Sequence, residues 1–109
     1  MKMSGIPFET TAWSDVEAKV APGEKGTVTS RTKQFGDIRV RIVEYSPGYV
    51  ADHWCSKGHV LYCLDGTLVT ELKDGRRFTL TPGQSYQVAD DEEPHRSTTV
   101  GGARLFIVD

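Results

Sequence analysis

Short turn signals interrupt this chain about every ten residues, and no other feature constrains its fold as strongly. Each combines glycine, proline, serine or aspartate in an order that favours chain reversal. They include Ser46-Pro47-Gly48, Asp65-Gly66, Asp74-Gly75, Pro82-Gly83 and Gly101-Gly102. The segments between them are too short for long helices, and their alternating character is typical of β-strands.

These segments predict an antiparallel β-sandwich or barrel. The strands are expected at residues 26–32, 37–45, 48–55, 59–66, 67–72, 76–81, 85–90, 95–100 and 103–109. Only residues 13–20 have a helical pattern, with Ser14 or Asp15 as N-cap and two turns at most. Because no linker or repeat divides the chain, we expect one domain over 1–109, with a short N-terminal arm at 1–25 and the barrel at 26–109.

Composition narrows the classes of protein and partner. The 109 residues are 38% hydrophobic, which is enough for a compact core. The net charge is -2, and the sequence has no cluster of basic residues of the kind that binds nucleic acid. No apolar run is long enough to span a membrane, and no signal peptide is visible at the start. We therefore expect a cytoplasmic protein that binds neither nucleic acid nor membrane, with reduced cysteines.

Residues 51–66 hold two of the three histidines and both cysteines. Alternation along a strand places His53 and Cys55 on one face, and a turn at 56–58 predicts that His59 lies beside them. Cys63 shares this face but lies deeper. Imidazole and thiolate donors favour zinc, iron, copper or nickel. His95, at the start of a later strand, is the candidate fourth donor.

Residues near this cluster have alternative roles. Arg41 would hold an anionic substrate if its face of the strand is the interior, but we expect Arg39 and Arg41 to be solvated. Asp52 and Trp54 face away from the cluster. Asp52 could pair with one of these arginines or accept bonds from a turn; a bond to a ligand imidazole is the less expected alternative because of its facing. Trp54 is expected to pack between sheets, near Trp13 or in a dimer contact. The acidic run 90–93 is expected to be a solvated loop, the alternative being the rim of a pocket.

The cluster resembles the two motifs of the cupin superfamily. The first motif matches a glycine, two histidine positions, a glutamate position and a closing glycine, here Gly48, His53, Cys55, His59 and Gly66. The second motif matches Pro82-Gly83 and His95. Cysteine thus replaces one family histidine and histidine replaces the glutamate, so the usual carboxylate ligand is gone.

The stretches "YVADHWCSKGH", "DGRRFTL", "YQVADDEEPHR" and "LFIVD" are similar to the small bacterial DHCW-motif cupins, over Phe8 to Asp109. The resemblance implies an all-β, single-domain cupin: a small antiparallel β-barrel, or double-stranded β-helix jelly roll. The cupin motifs imply a metal site made of His53, Cys55, His59 and His95, and its imidazole and thiolate donors favour a divalent transition metal, zinc first and iron or nickel next. No activity is implied.

Two functions remain open at this point. If Cys55 stays unbound, a metal held by the three histidines keeps an open position, and the protein would be a metalloenzyme acting on a small organic molecule in the barrel. A metal with all four ligands would be a closed structural site in a non-catalytic module that binds a small molecule or metal. We also expect a homodimer, with strands such as 103–109 pairing across a two-fold axis.

Overall fold

Residues 2–109, which a computed structural model describes, form nine antiparallel β-strands and one short 3-10 turn at Trp13–Asp15. The strands are β1 (Ala18–Pro22), β2 (Thr27–Phe35), β3 (Ile38–Tyr45), β4 (His59–Gly66), β5 (Leu68–Leu72), β6 (Arg77–Leu80), β7 (Ser85–Val88), β8 (His95–Thr98) and β9 (Ala103–Val108). The all-β prediction is confirmed. Within these residues no helix is long and apolar enough to cross a bilayer.

The strands form two sheets. The large sheet has the order β1-β2-β3-β9-β4-β7, and the small sheet has the order β6-β5-β8. Consecutive residues alternate between the interior and the surface, as in β9, where Ala103, Leu105 and Ile107 are buried. The predicted alternation therefore decides which side chains enter the barrel.

The core lies between the two sheets. Val43 of β3 and Cys63 of β4 each pair with Leu105 of β9, and all three are at most 1% exposed. Leu68 of the small sheet belongs to the same cluster and is completely buried. Burial of these apolar side chains is the main force that holds the sheets together.

The predicted helix at 13–20 is wrong. Only Trp13–Asp15 make a helical turn, and Ala18–Pro22 instead form β1 at the edge of the large sheet. Extended pairing with β2 satisfies backbone groups that a two-turn helix would leave largely unpaired. The expected pairing of 103–109 across a two-fold axis is also wrong, because β9 lies between β3 and β4 and is paired with a strand on each side.

The predicted strand at 48–55 is reduced to isolated bridges. Val50 pairs with Thr98, and Cys55 pairs with His95. Four residues, 51–54, lie between these bridges on one side, whereas only 96–97 lie between them on the other. The extra residues must leave the plane of the pairing, as in a β-bulge. The bulge re-aims the side chains that alternation assigned to this segment.

Candidate metal site

Three of the four predicted ligands come together at one end of the barrel. Cys55, His59 and His95 each offer a donor atom, and the three atoms lie within 4.8 Å of one another. Cys55 comes from the bulged segment, His59 begins β4 in the large sheet, and His95 begins β8 in the small sheet. The group therefore depends on contacts between distant parts of the chain.

Backbone pairing aligns Cys55 with His95. The N–H of Cys55 donates to the carbonyl of His95 at 2.8 Å, and the N–H of His95 donates back at 3.0 Å. Residues that exchange both bonds in an antiparallel pair lie directly opposite each other, with their side chains on the same face. The backbone pairing itself therefore places the Cys55 thiol next to the His95 imidazole.

A hydrogen bond fixes the tautomer of His95. The ring is 2% exposed, and its Nδ1 lies 2.9 Å from the carbonyl oxygen of Glu93. Since a carbonyl only accepts, Nδ1 carries the proton, and Nε2 of the neutral ring has a free lone pair. Nε2 is buried and has no hydrogen-bond partner in the chain. This arrangement matches that of metal-binding histidines, whose second ring nitrogen is held by a carbonyl or carboxylate.

His59 is similarly prepared. Its Nε2 lies 2.9 Å from the Tyr86 hydroxyl, and its buried Nδ1 has no partner. The ring meets that of His95 edge-on, with centroids 4.9 Å apart. Burial, followed by the nearby His95, lowers the pKa of His59 to about 4, so the ring is neutral near pH 7. A neutral imidazole is the form that binds metal.

The chemistry of this cluster fits a transition metal ion. A buried nitrogen without a partner costs free energy, and here two of them lie in a group with a thiol. Nitrogen and sulfur donors suit zinc and the other late first-row ions. An ion bound by all three side chains would satisfy the unpaired atoms of both rings.

His53 lies outside this group. Its side chain is 74% exposed, and its Nδ1 lies 2.6 Å from the Asp52 carboxylate. That hydrogen bond, more than the charge of His53, holds the pKa of Asp52 below its usual range. Of the roles considered for Asp52, the bond to an imidazole is therefore the one that forms, and the pairing with Arg39 or Arg41 does not. Both residues belong to the bulge, whose extra length turns them outward.

The predicted hairpin between Cys55 and His59 is also wrong. β4 pairs with β7 and β9, while Cys55 pairs with His95. Alternation along β4 is confirmed, since Leu61 and Cys63 follow His59 on the buried face. Trp54 does not contact Trp13; it packs under the Arg96 guanidinium, whose carbon lies 4.7 Å from the ring centroid. Trp13 instead meets Phe106 edge-on.

A cavity of about 220 Å³ adjoins the cluster. All four predicted ligands line it, together with Arg41, Arg96 and apolar and hydroxyl side chains: Val28, Ser30, Val43, Tyr45, Tyr49, Ala51, Leu61, Tyr86, Ser97 and Ile107. The expectation that Arg41 is solvated is wrong, since its side chain is only 22% exposed. Burial, and then the charge of Arg39, lowers the pKa of Arg41.

A second cavity of about 190 Å³ lies next to this one. Tyr86 and His95 line both cavities, and Glu93, from the predicted acidic loop, lies on the second. Burial raises the pKa of the Tyr86 phenol. From the sequence, Tyr86 is expected in the core or at an interface, and is an acid–base candidate only if it lies near the metal. It shares a strand face with Val88, which pairs with His59, and this register brings it to the cluster.

Solved cupin-fold structures resemble this chain. The polyketide cyclase RemF from Streptomyces resistomycificus superposes with a TM-score of 0.77, 26% identity, and coverage of 94% of this chain and 78% of its own. A predicted oxalate decarboxylase from Thermotoga maritima gives a TM-score of 0.77, 15% identity, and coverage of 92% and 96%. A cupin-2 domain containing protein from Shewanella frigidimarina gives a TM-score of 0.60 with 18% identity, and the superposition covers 73% of this chain and 78% of its own.

These likenesses, together with the two antiparallel sheets, show that the chain is a single-domain cupin fold. No protein-family profile matches the sequence, and no curated protein is significantly similar to it. The predicted cupin architecture is therefore confirmed at the level of the fold.

Proposed function

We propose that this protein binds a divalent transition metal ion through Cys55, His59 and His95 and acts as a metalloenzyme on a small organic molecule in the barrel. The observation that carries the proposal is the pair of buried, unpartnered imidazole nitrogens grouped with a thiol. Zinc suits this donor set, and iron and nickel are the other candidate ions. Enzymes among the named structural neighbours support a catalytic role.

Three protein ligands favour catalysis over a closed structural site. A structural zinc has four protein ligands, whereas a catalytic zinc keeps one position open for water or substrate. When bound, such an ion activates water or polarises a carbonyl group. The chain supplies the rest: Glu93 holds the proton of His95 on Nδ1, and Tyr86 orients His59. Leu61 and Ile107 add apolar side chains to the wall of the cavity.

The second candidate is a closed site with His53 as fourth ligand, in a non-catalytic module. It is favoured by the position of His53 on the same cavity as the three grouped donors. In this arrangement the Asp52–His53 hydrogen bond of 2.6 Å would have to break for the ring to turn inward. The two candidates differ in their dependence on His53.

The experiment is cobalt substitution of purified, untagged protein. A cysteine thiolate bound to Co²⁺ gives a charge-transfer absorption band, and metal analysis gives the stoichiometry. We expect one ion per chain, loss of the ion in His95→Ala, loss of the band in Cys55→Ser, and wild-type behaviour in His53→Ala. Loss of metal in His53→Ala supports the closed site instead. Substoichiometric metal in the wild-type protein contradicts both candidates.

We also infer that the chain belongs to the DHCW-motif cupins and works in the cytoplasm. The run Asp52-His53-Trp54-Cys55 carries the first inference. The second is supported by two free cysteines, Cys55 and Cys63, because thiols remain reduced in that compartment.

We propose a homodimer through the outer face of β4. Val60, Tyr62 and Leu64 alternate along this strand and are 47%, 42% and 37% exposed, an apolar stripe suited to contact with a second copy. Light scattering should give twice the mass of the chain, and Tyr62→Glu should halve it. Val20→Glu, on the edge strand β1, is the control and should remain dimeric. A monomeric wild-type protein contradicts this proposal.

A further inference from the structure

The cavity beside the three donors is lined by positive and neutral groups. Two arginines, Arg41 and Arg96, and three histidines contribute to its wall. Among the described residues that line it there is no aspartate or glutamate. Any divalent ion held by one thiolate and two neutral imidazoles adds a further net positive charge. An uncharged ligand would leave this excess unbalanced in a partly desolvated space.

Asp109 balances only part of this charge. Its carboxylate is 1% exposed and accepts two bonds from Arg39, one from Nε at 2.8 Å and one from Nη2 at 2.7 Å. Arg41 reaches the same carboxylate through Nη2 alone, at 3.3 Å. One carboxylate thus serves two guanidinium groups, and Arg39 takes the stronger, two-bond contact.

Arg41 therefore keeps unused donors at the cavity. Its Nε is buried and has no hydrogen-bond partner in the chain. A buried guanidinium N–H without an acceptor is costly, and a guanidinium is suited to bidentate contact with a planar anion. Arg41 also lies close enough to His59 for its charge to affect that ring. The unused donor and the proposed metal ligands thus share one small space.

Arg96 is less available, although its Nε is also buried without a partner. Its guanidinium stacks on Trp54, and its terminal nitrogens lie 3.9 Å from Glu71 and 4.0 Å from Glu24. Two carboxylates near Arg96 offset its charge, whereas Arg41 shares a single one. Arg41 is therefore the better anion site of the two.

We propose that Arg41 binds the carboxylate group of a small organic acid that occupies the cavity with its other end toward Cys55, His59 and His95. The placement of that other end rests on the proposed metal function; the anion site itself does not. The cavity, at about 220 Å³, is below the range of roughly 300–1,000 Å³ that holds drug-sized ligands. The size restricts the ligand to a small acid.

The test is an NMR titration of metal-free protein with acetate, following the Arg41 side-chain Nε–H resonance. Acetamide, which has the same shape without the charge, is the ligand control. Arg41→Gln removes the charge and is followed through neighbouring backbone amides, such as that of Val43. Arg104→Gln is the matched protein control, because Arg104 is exposed on β9 and does not line the cavity. Thermal unfolding of each variant confirms that it is folded.

We expect saturable shifts with acetate and none with acetamide. Arg41→Gln should weaken acetate binding by about tenfold or more, the loss expected for charge-assisted hydrogen bonds, while Arg104→Gln should stay within about threefold of wild type. Equal affinity in Arg41→Gln, or no saturable shift in the wild-type protein, overturns the proposal.

Cobalt binding separates this proposal from the proposed metal function. Acetate binding by metal-free protein that takes up no Co²⁺ would retain the anion site and reject the metal. Normal Co²⁺ binding without saturable acetate shifts would retain the metal and reject the anion site. A change in the Co²⁺ absorption spectrum on adding acetate, absent in Arg41→Gln, is the result expected if both hold.

Discussion

The Tyr86 hydroxyl lies 2.9 Å from Nε2 of His59, across the register in which β4 pairs with β7. The contact leaves Nδ1 of His59 as the nitrogen without a partner. A phenol in this position holds the ring orientation that the proposed metal site requires.

Tyr86→Phe should weaken metal binding by about 10–100-fold, the usual cost of losing a group that orients a ligand. The substitution removes one oxygen and leaves the ring that packs against the core. Competition with a chromophoric chelator measures the affinity. Tyr62→Phe, on the exposed face of β4, is the matched control and should bind as the wild type does. Unchanged affinity in Tyr86→Phe contradicts an orienting role.

Metal-free protein should lose stability as the pH falls from about 6.5 to about 4. The pKa of His59 is about 4 in the folded chain and 6.5 ordinarily, so in this window the unfolded state binds a proton that the folded state does not. The loss should be on the order of 1–2 kcal/mol, after allowance for the solvent screening of a partly exposed ring. Urea unfolding at a series of pH values measures it.

Two variants identify the group responsible for that slope. His59→Gln should flatten the dependence of the unfolding free energy on pH, because the amide does not titrate. His53→Ala should keep it, because that substitution leaves His59 in place. A slope that survives in His59→Gln would assign it to another group.

Asp109→Asn should destabilise the protein by about 2 kcal/mol. Burial alone would raise the pKa of Asp109, but the hydrogen bond from Arg39 and the charges of Arg41 and Arg39 outweigh it and hold the pKa below its usual range. The amide leaves two guanidinium groups without their anion, and one-sided removal of a buried pair is costly. Glu9→Gln, which breaks the exposed pair with Lys33, should cost less than about 0.5 kcal/mol. Similar midpoints in urea for both variants would contradict this prediction.

Two glycines of the cupin-like motif should respond differently to alanine. Both have positive φ, +79° at Gly48 and +76° at Gly66, so each substitution strains the backbone by about 1–2 kcal/mol. A Cβ at Gly48 meets open space, whereas at Gly66 it would lie 2.1 Å from the carbonyl oxygen of Gly102. Gly66→Ala should therefore cost at least about 2 kcal/mol more. Thermal unfolding compares the pair, and equal losses would show that the contact with Gly102 relaxes freely.

Much of the fold was predictable because strands obey a local rule. Alternation placed Leu61 and Cys63 on the face of His59, and Val43 on the face of Arg41, and the structure has both arrangements. Turn residues marked most strand ends within a few positions. Where pairing is non-local, local patterns do not identify the partner strand. Residues 103–109 were expected to pair with a second copy of the chain, whereas β9 lies between β3 and β4.

The candidate site was predictable only in part. The grouping of Cys55, His59 and His95 was expected, but Cys55 and His59 were expected to meet through a hairpin that does not form, with His95 arriving from a later strand. The bulge at 51–54 has no marker in the sequence, because it arises from pairing with β8, and it is what turns His53 outward. The burial of Arg41 depends on Asp109, far along the chain, which periodicity cannot reveal.

His59 and His95 belong to different layers of the molecule, one to the large sheet and the other to the small sheet. An ion bound by both would connect the two sheets, and the affinity of the protein for that ion would depend on the distance between the sheets. Transient separation of the two sheets would release the ion, and a bound ion would make such separation rarer. Metal occupancy would then increase the rigidity of the contact between the sheets. Slower amide hydrogen exchange in β4 and β8 would therefore measure how much of the protein holds an ion.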